Sequence, residues 1–144
     1  MNALVTVIVV ATIGGIAVTL QSSFMGTMTR SLGTLESIFI TYGSGGLVVA
    51  LLFLLRGGTL HGWRAVPPYA FTAGLLGLVI VGSIGFATAR YGLIITFAII
   101  LVAQYASAAI IDHFGLFGAT LQPLDLQRTL GILLLLAGAW LVLR

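Results

Sequence analysis

The chain has no cysteine and no lysine, and its 144 residues carry nine formal charges: six arginines, Glu36, Asp112 and Asp125. Without cysteine there is neither a disulfide framework nor thiolate chemistry. Charged residues make up 6% of the sequence, against about 25% in an ordinary soluble domain. With 60% of residues hydrophobic and a mean hydropathy of +1.22, too little polar surface exists to cover a water-soluble globule of this size. Disorder, a coiled coil and a secreted scaffold are excluded together. The net charge of +3 comes from arginines that stand singly between apolar runs, so no basic patch forms and no nucleic-acid partner is expected. No basic segment precedes the first apolar run, so no cleaved leader is expected either.

Catalytic signatures are also missing. No cluster of His and acid residues has metal-ligand spacing, and there is no nucleophile elbow. Gly57-Gly58 and Gly43-Ser44-Gly45-Gly46 lack the strand and the lysine of a phosphate loop. No enzyme activity, metal or cofactor is expected.

What is present is a series of apolar runs separated by charges and turn residues, at about 3–28, 35–55, 67–89, 93–111 and 126–143. A hydrocarbon core about 30 Å thick needs about 20 helical residues, at about 1.5 Å each. Four runs reach that length. The fifth is short, so it must start early or thin the bilayer locally while Arg128 and Arg144 snorkel. The expectation is an all-α integral membrane bundle of about five transmembrane helices, forming one domain over residues 1–144 with the lipid bilayer as its solvent. Thr34 is the expected N-cap of the second span with Glu36 in its first turn; Pro67 and Pro68 open the third, and Asp125 caps the fifth.

Five spans put the termini on opposite sides of the membrane. One face then receives Arg56, Arg64 and Arg128, and the other receives Arg30, Arg90 and Arg144. Orientation follows the Lys/Arg asymmetry of short loops, and here the asymmetry is zero. Dual topology is the inference. Two copies inserted in opposite senses, as an antiparallel homodimer, reproduce the ten-helix inverted repeat of many transporters.

No arginine or aspartate falls inside a span, so a solute path must be lined by neutral groups. On span 1, Gly14, Ala17, Gln21, Met25 and Met28 share one face by helical spacing. On span 4, Phe97, Gln104, Ser107 and Ile111 do the same, with Gln104 about halfway along. Span 2 offers Thr41, Tyr42, Ser44 and Gly45. Gln21, Gln104, Tyr42, Phe97, Ser107 and Thr41 are therefore the candidate solute contacts, a few oriented polar groups among apolar ones. The bland reading of each amide is an interhelical hydrogen bond, and of Tyr42 simple packing.

Gly74, Gly77, Gly82 and Gly85 lie within an arc of roughly 140° on span 3, a smooth stripe for close helix approach, static or sliding. Asp112 and His113 close span 4. An acid at a helix C-terminus opposes the macrodipole, so Asp112 calls for an arginine, either Arg56 or Arg128 on the same face or Arg30 or Arg90 from an inverted partner; His113 and Glu36 are the other coupling candidates.

Several stretches carry a resemblance. They are Gln21 with the polar stretch after it, Gly33-Thr34-Leu35-Glu36-Ser37 leading to Thr41-Tyr42 and Gly45, and Ala103-Gln104-Tyr105-Ala106-Ser107. Asp112-His113-Phe114-Gly115-Leu116-Phe117-Gly118 is the most specific, and Gly138-Ala139-Trp140-Leu141-Val142 closes the series. Over nearly its whole length the chain resembles the YdcZ family of inner-membrane exporters, a five-span branch of the bacterial drug/metabolite transporter superfamily. The resemblance implies an all-helical, multi-pass protein of the bacterial inner membrane, equal to half of a ten-span transporter; it brings no substrate. The expected function is export of a small organic solute by alternating access. The alternative is a non-transporting scaffold or accessory subunit.

Overall fold

Glycine sets most of the points at which this chain stops being helix. The computed structural model describes residues 3–144, and among them every regular element is helical. Four α-helices, α1 (Ala3–Leu32), α2 (Thr34–Leu55), α3 (Ala73–Phe114) and α4 (Leu126–Val142), are joined through 3-10 turns at Trp63–Ala65, Pro68–Thr72 and Leu116–Gly118. Leu4–Leu32, Thr34–Leu55 and Pro68–Phe114 are long and apolar enough to cross a membrane, and Leu126–Val142 is a shorter apolar helix.

The first helix runs past the expected end at residue 28 to Leu32, and Arg30 folds back to donate from Nη2 to Thr27 Oγ1 at 3.2 Å. Gly33 alone then separates α1 from α2, with φ 109° and ψ 164°, a backbone state that side chains resist. Its carbonyl accepts from Ser37 N at 3.2 Å, so Gly33 is the N-cap and Thr34 the first helical residue. The expected Thr34 cap is corrected for that reason: a reversal completed in one residue needs the φ > 0 of glycine more than it needs a capping hydroxyl. Glu36 does lie in the first turn.

α2 ends in a Schellman motif, with Gly57 N donating to Leu54 O at 3.0 Å and Gly58 N to Phe53 O at 2.8 Å. The expected helix start at residue 67 moves to Ala73. Pro67 precedes another proline and is held extended (ψ 138°), and the chain enters α3 through the tighter turn Pro68–Thr72.

Within α3, Gly92 leaves helical geometry at φ 79° and ψ 176° and divides it into arms at 73–91 and 93–114. At about 1.5 Å per residue the arms are roughly 29 and 33 Å long, each close to a bilayer core. After α3, Gly115 and Gly118 take positive φ, as does Phe117 at 57°. The N-cap expected at Asp125 is present: its Oδ1 accepts from Arg128 N at 2.7 Å, and its carbonyl accepts from Thr129 Oγ1 at 2.8 Å.

The chain forms two units that meet in sequence between Arg90 and Tyr91. In the first, Ser22, Met25, Ser37, Ile84 and Thr88 are buried, so small hydroxyl side chains share the interior with only two large apolar ones among the described residues. A Cβ on Gly26 would lie 2.8 Å from Thr88 Cγ2, one on Gly82 would lie 2.9 Å from Ile38 Cδ1, and one on Gly85 would lie 3.2 Å from Met25 Cε. Close backbone approach of this kind is what associates helices where lipid removes the hydrophobic driving force. Thr29 Oγ1 and Ser37 Oγ join α1 to α2 at 2.9 Å. Ser37 donates its proton to Thr34 O at 2.8 Å, so Thr29 is the donor of the pair. Large apolar side chains such as Leu4, Val10, Leu47, Leu54 and Leu134 are exposed along every helix, the surface that lipid solvates.

Candidate functional site

The face anticipated on α1 forms one wall of a groove in the first unit. Ala17, Gln21, Met25 and Met28 line it together with Leu20 and Phe24, and Ile40, Thr41 and Ser44 of α2 form the facing wall, around about 430 Å³. The one-residue turn at Gly33 turns α2 back beside α1, and helical spacing aligns each set. Gln21 and Thr41, two of the six candidate solute contacts, are thereby brought together.

The Thr41 hydroxyl differs from most others on these helices. Thr12, Thr19, Ser22, Thr27, Ser44, Thr96 and Thr129 each donate to the carbonyl four residues earlier. Thr41 Oγ1 is buried without a hydrogen-bond partner, as is Thr88 Oγ1. An unsatisfied buried hydroxyl costs about 1–3 kcal/mol. Thr88 packs its methyl against Gly26, whereas Thr41 lines a groove large enough for a ligand.

Tyr42 is not part of the groove. One residue along α2 from Thr41, it points about 100° away, and its hydroxyl rests against Gly77 of α3. Glu36 places its carboxylate beside Gly33. Gly85 meets Met25 and Thr29, while a Cβ on Gly74 would meet nothing within 4 Å.

In the second unit Phe97 is half-buried and Gln104 and Ser107 are exposed on one face of the 93–114 arm. About 100° around that arm lies a cavity of about 390 Å³, lined by Tyr105, Ala108, Ala109 and Asp112, by Gln122 and Leu124 of the connector, and by Arg128, Gly131, Ile132 and Leu135 of α4. Sequence reasoning missed it. Asp112 and Arg128 share this cavity, but the Arg128 guanidinium donates to Gln122 O (3.2 Å), Pro123 O (3.4 Å) and Gln122 Oε1 (2.6 Å).

The connector is pinned to the helix it leaves. Gln122 N donates to Asp112 O at 2.8 Å, and Leu124 N donates to His113 Nδ1 at 3.1 Å. That nitrogen is an acceptor, so the neutral ring carries its proton on Nε2. The His113 ring also stands edge-on to Phe114, with centroids 4.7 Å apart. Aromatic rings hold three of the arginines: Arg90 over Phe86 at 3.5 Å, Arg144 over Trp140 at 3.9 Å and Arg64 over Trp63 at 5.5 Å.

No curated protein and no solved structure is a significant match to the chain. A family model described as "Putative inner membrane exporter, YdcZ" matches residues 6–141. With almost the whole sequence covered and its long apolar helices in place, this chain belongs to the YdcZ family and is a membrane protein of the transporter class.

Proposed function

We propose that the chain is a five-span protomer, one transmembrane domain of a small-solute exporter in the bacterial inner membrane. Two copies inserted in opposite senses make a ten-helix carrier that works by alternating access. The glycine break in α3 supports the count, because each arm has the length of one crossing. The even split of six arginines supports opposed insertion.

Solute contact is assigned first to Gln21 and Thr41, and the single observation behind it is the unpaired Thr41 hydroxyl beside Gln21 in a groove of ligand size. Gln104, Ser107 and Phe97 are the further contacts of the proposal, with Gly77 and Gly85 as the helix-packing positions and Asp112, His113 and Glu36 as coupling candidates; Tyr42, against Gly77, and Gly74, in open space, leave these sets. A groove of one amide, two hydroxyls, Phe24, methionine and aliphatic side chains does not offset the desolvation of a strongly charged solute. Neutral, zwitterionic or charge-diffuse organic cations are the matching class.

The scaffold reading has one observation in its favour: most helix hydroxyls are satisfied by their own backbone and need no solute. Flux in proteoliposomes separates the two. Saturable flux lost in Gln21→Leu and Gln104→Leu, with the oligomer intact, supports the carrier. No flux across a broad panel of solutes leaves the scaffold. Flux that never saturates indicates a channel.

A further inference from the structure

We propose that the cavity between the 93–114 arm and α4 binds a phospholipid whose zwitterionic headgroup carries a primary ammonium, of the phosphatidylethanolamine class. Both walls run from charged to apolar in the same direction. Asp112 and Arg128 stand at the connector end. Seven residues from each, about 10 Å along its helix, are Tyr105 and Leu135, and Ala108, Gly131 and Ile132 fill the distance between. A water-soluble zwitterion needs polar groups around all of itself. A lipid needs them only at its head, and apart from the Tyr105 hydroxyl at the far end this cavity offers them only at the connector.

Each charged group has an unmet requirement. Asp112 closes its helix at the negative end of the macrodipole, where a carboxylate is disfavoured unless a cation joins it. His113, the next residue, accepts a hydrogen bond from Leu124 N at Nδ1, so that nitrogen offers the Asp112 carboxylate no proton. Among the described residues no cation lies within 4.0 Å of the Asp112 carboxylate. An ammonium in the cavity meets that need. Arg128 is fixed by Gln122 and Pro123 through Nη1 and one Nη2–H, and its remaining donors, Nε–H among them, suit a phosphate. A Cβ on Gly131 would meet nothing within 4 Å, so the floor is open for the first carbons of an acyl chain. The volume of about 390 Å³ accommodates a headgroup and the start of a chain, not a whole lipid.

The location of the connector at the membrane surface rests on the five-span reading, but binding is measured without flux, so the two fail separately. The full chain in detergent is titrated with phosphatidylethanolamine or phosphatidylglycerol, and retained lipid is read by native mass spectrometry. The ethanolamine lipid is expected to bind about tenfold more tightly, the equivalent of one charge-assisted hydrogen bond. Asp112→Asn abolishes that preference, Asp112→Glu keeps it, and Ile132→Trp weakens both lipids alike. Equal retention by the unsubstituted chain, or a preference that survives Asp112→Asn with helical content unchanged, overturns the proposal. So does an Ile132→Trp variant that dissociates into protomers while binding lipid normally, because a second copy then occupies the cavity.

Discussion

At the scale of single residues, Thr41 separates function from stability. Thr41→Val preserves shape and removes an unpaired buried hydroxyl, so thermal unfolding in detergent is expected to stay level or shift upward, by up to about 1–3 kcal/mol. Solute flux falls in the same variant; a marked loss of stability would show that the hydroxyl is bonded after all. Gly92→Ala forces a side chain into φ 79° and is expected to cost about 1–2 kcal/mol, whereas Gly74→Ala, in a regular helix with open space, is level or stabilising by up to about 1 kcal/mol. Part of this was legible in the sequence. The spacing of Ala17, Gln21, Met25 and Met28 gave one wall of the groove, because a single helix is periodic. Tyr42 stands beside Thr41 in the sequence, yet neighbours on a helix point about 100° apart, and Tyr42 reaches Gly77 instead of the groove.

Among the elements, α4 depends most on its cap, being the shortest of the four helices at 17 residues. Asp125→Ala removes the acceptor of Arg128 N and is expected to lower stability by about 0.5–2 kcal/mol, with hydrogen exchange rising first in residues 126–129. Packing of α2 on the first arm of α3 is tested at Tyr42 and Gly77: Gly77→Ala destabilises, and Tyr42→Phe relieves part of that loss, a coupling that a double-mutant cycle detects. Helix existence was legible from the apolar runs, and the cap at Asp125 from the residue itself. The 3-10 opening at Pro68–Thr72 and the Gly33 cap were not, because each follows from backbone angles that neighbouring residues impose. The 112–128 connector was the least legible part. It has no periodicity, and its order comes from Gln122, Leu124 and Arg128 meeting backbone and ring atoms up to eleven residues away.

For the molecule as a whole, the decisive prediction concerns orientation. A C-terminal reporter is expected on both sides of the membrane, and two lysines added within residues 56–66 shift the population to one side. A reporter confined to one side in the unmodified chain refutes opposed insertion. The turn at Gly33 bears on how that choice is made. With a single residue between α1 and α2 and a hydroxyl bridge from Thr29 to Ser37, neither helix has slack to stay behind while the other crosses. The pair therefore partitions into lipid as one hairpin, and α1 and α2 take their sense across the membrane together. On the proposed opposed insertion, a copy whose first helix is reversed has its second helix reversed with it, so the hairpin is the smallest piece of the chain that can face either way.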